Sequence, residues 1–150
     1  MDGLTTMPSI FGPKETADRL EAEVKAHGMS VFARINHAAL AAEVGLALRP
    51  TEVLLFGNPR GGTPLMQAGQ TIGIDLPLKA LVWQDAAGQT WLSYNEPAWL
   101  AQRHDLSSTT DKIIANLSQA LKTIISKAAG SFTTAPILPT QRNTTNVTIS

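Results

Sequence analysis

The run Val53-Leu54-Leu55-Phe56 is apolar at every position. Successive side chains of a strand point to opposite faces, so this run cannot lie half in water. It asks for a central strand with a cover on each side. One cover is written into the same chain. Ala17, Leu20 and Val24 recur at three- and four-residue spacing after Gly12-Pro13, and Ile113, Ile114, Leu117, Leu121, Ile124 and Ile125 do so ahead of Gly130. Each set makes an apolar stripe along one side of a helix, and two such helices can blanket one face of a sheet. The other face needs something else, and a second subunit is one candidate.

The remaining segments supply partners for that strand. Met29 to Asn36 alternates, with Val31, Ala33 and Ile35 opposite Phe32, Arg34 and Asn36. Leu4 to Phe11 reads as a first strand. Leu78–Trp83 and Thr90–Tyr94 read as a hairpin turned by Asp85-Ala86-Ala87-Gly88. Helices are expected from Pro13 to His27 with Gly28 as the stop, over the alanine-rich His37–Val44 ahead of Gly45, and from a Thr63-Pro64 start through Ala68. Pro97 opens another, and Ser108 or Thr109 caps the last and longest. Gly57–Gly62 reads as a loop and Ile72–Leu76 as irregular. This order predicts an α+β domain over residues 1–130 with one largely antiparallel sheet. Residues 131–150, rich in Thr and Asn and without apolar period, are expected to be a flexible tail.

Composition excludes several functions. The 12 basic and 12 acidic residues cancel, and the basic excess after residue 106 is too dispersed to hold nucleic acid. No cysteine is present, which removes disulfides, thiolate metal centres and a thiol nucleophile. No segment approaches the roughly 20 apolar residues that span a bilayer. Met1-Asp2-Gly3-Leu4 lacks a signal-peptide start, so the cytoplasm is expected, with neither membrane nor nucleic acid as a partner. Without export, the glycosylation triplets at Asn116, Asn143 and Asn146 carry no weight.

A few polar residues stand among apolar ones. His37 follows a strand and opens a helix beside Arg34; it either serves as a general base or ligand at a groove mouth, or merely caps the helix. His27, in the last turn of its helix, reads as a cap residue. Asn58-Pro59-Arg60-Gly61-Gly62-Thr63 either cradles a phosphate or carboxylate against a helix start, or is an ordinary turn. It lacks the lysine and spacing of a P-loop. Asp75 and Tyr94-Asn95 either join a site or satisfy loop backbone. No histidine spacing suits a metal, which would need Glu52 or Asp75 brought in by the fold; no metal and no cofactor are expected. Trp83, Trp91 and Trp99 read as core or dimer-interface residues.

The segment Met29-Ser30-Val31-Phe32-Ala33-Arg34-Ile35-Asn36-His37-Ala38-Ala39 resembles a motif of the DUF302 family of uncharacterised domains. Leu48-Arg49-Pro50-Thr51-Glu52, Phe56-Gly57-Asn58-Pro59, Gly62-Thr63-Pro64-Leu65-Met66, Asp75-Leu76-Pro77-Leu78-Lys79 and Tyr94-Asn95 follow in the same order, so the resemblance covers residues 4–128. It implies a TBP-like α+β fold, a curved antiparallel sheet with helices on one face, and a homodimer. Asn36 stands where the family usually has Asp, which weakens any role for a carboxylate beside His37.

Three functional expectations follow. The first is a dimeric module binding a small anionic or amphipathic ligand through Arg34, His37, Glu52, Asn58, Arg60, Asp75 and Tyr94, with the loops around His37 and Gly61 on a common rim. The second is a hydrolase or isomerase with His37 as catalytic base and Glu52 or Asp75 as partner. The third is an assembly protein using Val53–Phe56, the tryptophans and the final helix as packing surfaces.

Overall fold

The computed structural model describes residues 1–130; the expectation of a flexible tail at 131–150 lies outside the described residues. Five strands, β1 (Leu4–Ser9), β2 (Ser30–Asn36), β3 (Thr51–Gly57), β4 (Leu78–Gln84) and β5 (Thr90–Asn95), form one sheet in the order β1-β5-β4-β3-β2. Every pairing is antiparallel. The apolar run of β3 lies between β2 and β4, with Leu54 opposite Arg34 on one side and Ala80 on the other.

Helices α1 (Pro13–Ala26) and α5 (Asp111–Ala129) cover one face of this sheet. Ala17, Leu20 and Val24 of α1 and Leu121, Ile124 and Ile125 of α5 meet Leu54, Phe56, Ala80, Val82 and Leu92 in a fully buried layer. Each such Leu, Ile or Phe contributes roughly 1.5–3 kcal/mol through burial. The α5 helix ends where expected, because Gly130 adopts the left-handed φ of 79° that closes its last turn.

The first half of α5 belongs to a second cluster. Ile114 joins Leu65 of α3 (Pro59–Ala68), Ile72 of a 3-10 turn (Gln70–Asp75) and Leu100 of α4 (Pro97–Arg103). One long helix thus ties the sheet to a cap of short helices beyond the β3 end. The remaining helix, α2 (His37–Glu43), stands beside β3 with no fully buried residue.

Four local expectations change. The expected loop 57–62 is largely helix, since Asn58 caps Arg60 N–H and starts α3 at Pro59 instead of Thr63. Of Ile72–Leu76, expected to be irregular, Ile72 to Asp75 belong to the 3-10 turn. The last helix begins at Asp111 after a separate 3-10 turn (Ser108–Thr110), and no side chain caps it. In β2 a bulge at Phe32 breaks the simple alternation. Val31 thereby packs against the helix-side core, whereas Ala33 and Ile35 face the other way beside Leu55 and Val53.

Candidate functional site

The chain's own strand directions separate the residues that sequence reasoning had grouped. Ser30 pairs with Gly57 and Asn36 pairs with Glu52, so the turn after β3 and the turn after β2 lie at opposite ends of the same strand pair. Seven residues at about 3.3 Å each put roughly 20 Å between them. His37 and the Asn58–Gly62 segment therefore share no rim. The expected groove walled jointly by Arg34, His37, Arg60 and Asp75 does not exist, because each of these side chains serves a different place.

Arg34 and Glu52 do meet. Both lie on the helix-covered side of the β2–β3 edge, where the Arg34 guanidinium bonds Glu52 through Nε and reaches Asp18 of α1 through Nη1 at 2.8 Å. Glu21 is 3.4 Å away. Burial pulls the Arg34 pKa down, yet Glu52 and Asp18 outweigh it and hold the net shift upward. The Asp18 carboxyl is kept below its ordinary range by Lys14 and then by Arg34. This network staples α1 to the edge strand.

His37 is exposed and borders the second sheet face, close to Val53, Leu81 and Trp83. It does not cap α2; Asn36 does, its Oδ1 accepting Ala39 N–H at 2.9 Å. The residue that departs from the family motif thus has a backbone task that Asn and Asp perform equally well. With Glu52 on the opposite face and Asp75 beyond the far end, His37 has neither expected carboxylate beside it.

Asp75 instead closes a clasp that the sequence concealed. Its Oδ2 lies 2.5 Å from His104 Nε2, and Arg103 Nη1 donates to both carboxylate oxygens at 2.9 Å. On the other ring nitrogen, His104 Nδ1 is 2.9 Å from Thr71 Oγ1. The His104 side chain is only 7% exposed. Carboxylate, imidazole and hydroxyl stand in relay order, but none of the three lines the groove beside Asn58 or the open sheet face. The clasp locks the 3-10 turn to the end of α4. Separations of 29 and 33 residues hid it from any local motif.

Tyr94 points into the helix-side core, where burial first, and then the neighbouring Glu96 charge, push its hydroxyl pKa upward. It is a core residue with a polar tip. Among the described residues no three His, Asp or Glu side chains converge to hold a metal ion.

Of the residues sequence reasoning selected, Arg34 and Glu52 line a wider cleft beside α1, His37 and Tyr94 border a recess on the open sheet face, and Asn58 borders a smaller apolar groove. A groove of about 260 Å³ runs between the start of β2 and the Gly57–Gly62 turn, floored by Leu117 of α5. Met29, Phe32, Met66 and Leu76 supply its apolar walls, and Gly57, Gly61, Gly62 and Gly73 keep it open by having no side chain. Only Asn58 and Thr63 bring polar side chains to it. Arg60 is exposed and lies outside the lining. The expected anion cradle is closed: Pro59 has no N–H, Arg60 N–H is spent on Asn58 Oδ1, and Gly61 and Gly62 N–H both reach Asn58 O at 2.9 and 3.0 Å.

Comparison with known proteins places this fold among relatives. A crystal structure of an uncharacterised conserved DUF302 protein from Bacillus stearothermophilus superposes with a TM-score of 0.76, at 23% identity over 85% of this chain and 99% of that one. Proteins named fluoride-specific ion channel FluC 1 from Brucella suis and Brucella abortus are 48% identical over 128 residues, 85% of this chain. The match takes in 50% and 47% of those proteins, so the chain spans about half the length of the curated relatives it matches. No described helix is long and apolar enough to cross a membrane. The family model for the domain of unknown function DUF302 matches residues 5–124, four-fifths of the sequence, and the chain belongs to that family.

Proposed function

We propose that this chain is a cytoplasmic binding domain for a small molecule held in the groove between β2, α3 and the 3-10 turn. The observation that carries the reading is the groove itself: an apolar recess beside a polar helix cap, opened by four glycines. At about 260 Å³ it sits just under the usual 300–1,000 Å³ of ligand pockets, which suits a small occupant. His37 chemistry has no such support, since its expected partners lie elsewhere.

The test is a thermal-shift screen of small metabolites on the wild-type chain and on Gly62→Leu. A Cβ at Gly62 would lie 3.7 Å from Leu76, an ordinary contact, so the variant fills the groove without forcing the backbone. Compounds that raise the wild-type melting temperature should leave Gly62→Leu unmoved. Equal shifts in both proteins would defeat the reading.

The second sheet face supports dimerisation as a companion proposal. Ala33, Ile35, Val53, Leu55, Leu81 and Trp83 alternate with the buried layer and stay half-buried, and α1 and α5 leave them uncovered. Five strands of this length present about 500 Å² per copy. Two copies bury about 1,000 Å², the threshold a biological interface must clear and just under the range of stable ones. Light scattering should give a dimer that Leu81→Glu converts to monomer; a monomeric wild type would sink it. The relatives' name, fluoride-specific ion channel, suggests a setting beside such a channel. Fluoride itself would find neither cation nor vacant helix N–H in the groove.

A further inference from the structure

We infer that the groove selects an uncharged, flat aromatic molecule of one or two rings that carries a single hydrogen-bond acceptor. The inference rests on the groove being the binding site and goes on to say what chemistry fills it.

Charge is decided by the lining. No ionisable side chain borders the groove, and the α3 N–H groups nearest it are already bonded. A carboxylate or ammonium entering it would surrender hydration and meet no counter-charge. A neutral molecule loses nothing comparable.

Shape is decided by Phe32 and the methionines. Phe32 sits at the bulge of β2 and is 54% exposed, a large aromatic ring left half in water at the groove's edge. Gly57 faces that ring, and a Cβ there would stand 3.8 Å from Phe32 Cε2. The thioethers of Met29 and Met66 complete the walls. An aromatic guest would cover Phe32 in offset or edge contact and meet both sulfurs, arrangements that favour rings over alkyl chains.

Orientation is decided by Asn58. Its Oδ1 is committed to Arg60 N–H, which fixes the amide and leaves Nδ2 as a donor at the rim. The guest's acceptor would meet it there.

Three probes on one scaffold test this: 2-naphthamide, 2-naphthoate and 2-naphthylmethylammonium, titrated into labelled protein while the amide resonances of Gly57, Gly61, Gly62 and Gly73 are followed by NMR. The amide should move these glycines and bind at least tenfold more tightly than either ion. Naphthoate or the ammonium binding equally well at the same glycines would overturn the charge selection and leave the groove standing. If no probe moves them, the groove reading falls and this one with it. Asn58→Asp keeps the helix cap but loses the donor, so naphthamide should weaken severalfold while the ammonium gains. Unchanged naphthamide affinity would remove Asn58 from the recognition.

Discussion

The His104 clasp makes the sharpest stability prediction. His104→Ala removes a side chain that is 93% buried together with both of its hydrogen bonds, to Asp75 and to Thr71. A bond to a charged partner contributes about 1.5–3 kcal/mol and a neutral one about 0.5–1.5 kcal/mol. Asp75 keeps Arg103, so no carboxylate is stranded, and the net loss should be about 2–4 kcal/mol. Against a total stability of about 5–15 kcal/mol this is large. Urea unfolding should show a lower midpoint with an unchanged slope, because the buried core is the same in both proteins. Hydrogen exchange should quicken first at the 3-10 turn. His27→Ala is the internal control: His27 is exposed and its Nδ1 merely approaches Glu23 O at 2.9 Å, so the change should stay within about 0.5 kcal/mol. In a double-mutant cycle with Asp75→Asn, His104→Ala should show coupling of at least about 1 kcal/mol. A His104→Ala effect no larger than that of His27→Ala would refute the clasp.

Two further outcomes concern the turns. Asp85 accepts from Trp91 Nε1 and from the Gln89 and Ala87 N–H groups, and these bonds, Trp91's first, hold its pKa below the ordinary value. A depressed carboxylate contributes stability above its unfolded pKa and loses it as pH falls through the folded value. Asp85→Asn should therefore flatten the decline in stability below about pH 4, read from melting temperatures across an acid series; an unchanged acid limb would contradict the assignment. Asn36→Ala should cost about 1 kcal/mol by uncapping α2, whereas Asn36→Asp stays within about 0.5 kcal/mol. Chemical denaturation distinguishes the two, and equal losses would show that the cap contributes nothing.

Local order was legible because it depends on neighbours in the chain. The stripes of α1 and α5, the doubly apolar β3, the Asp85–Gly88 turn and the Gly28 and Gly130 stops are periodicities and stop signals, and each appears where the residues imply it. Two helix starts were misplaced: an Asn58 cap one residue before Pro59 outranks Thr63-Pro64, and the Ser108–Thr110 segment expected to cap the last helix forms a 3-10 turn of its own. Membership in the family was legible too, because several ordered motifs span the chain. What the linear order could not supply was which polar residues meet. Antiparallel pairing of β2 with β3 sends the turn after each strand to opposite ends, and a single bulge at Phe32 reassigns the faces of that strand. Those two facts dissolve the cluster expected around His37, pair Arg34 with Glu52, and leave Asn58, with Thr63, at a neutral groove. Asp75, His104 and Thr71 met only when α4 folded back over the 3-10 turn. Periodicity reports a residue's own surroundings along the chain, whereas a site depends on distances between segments, and those are set by strand direction and helix packing.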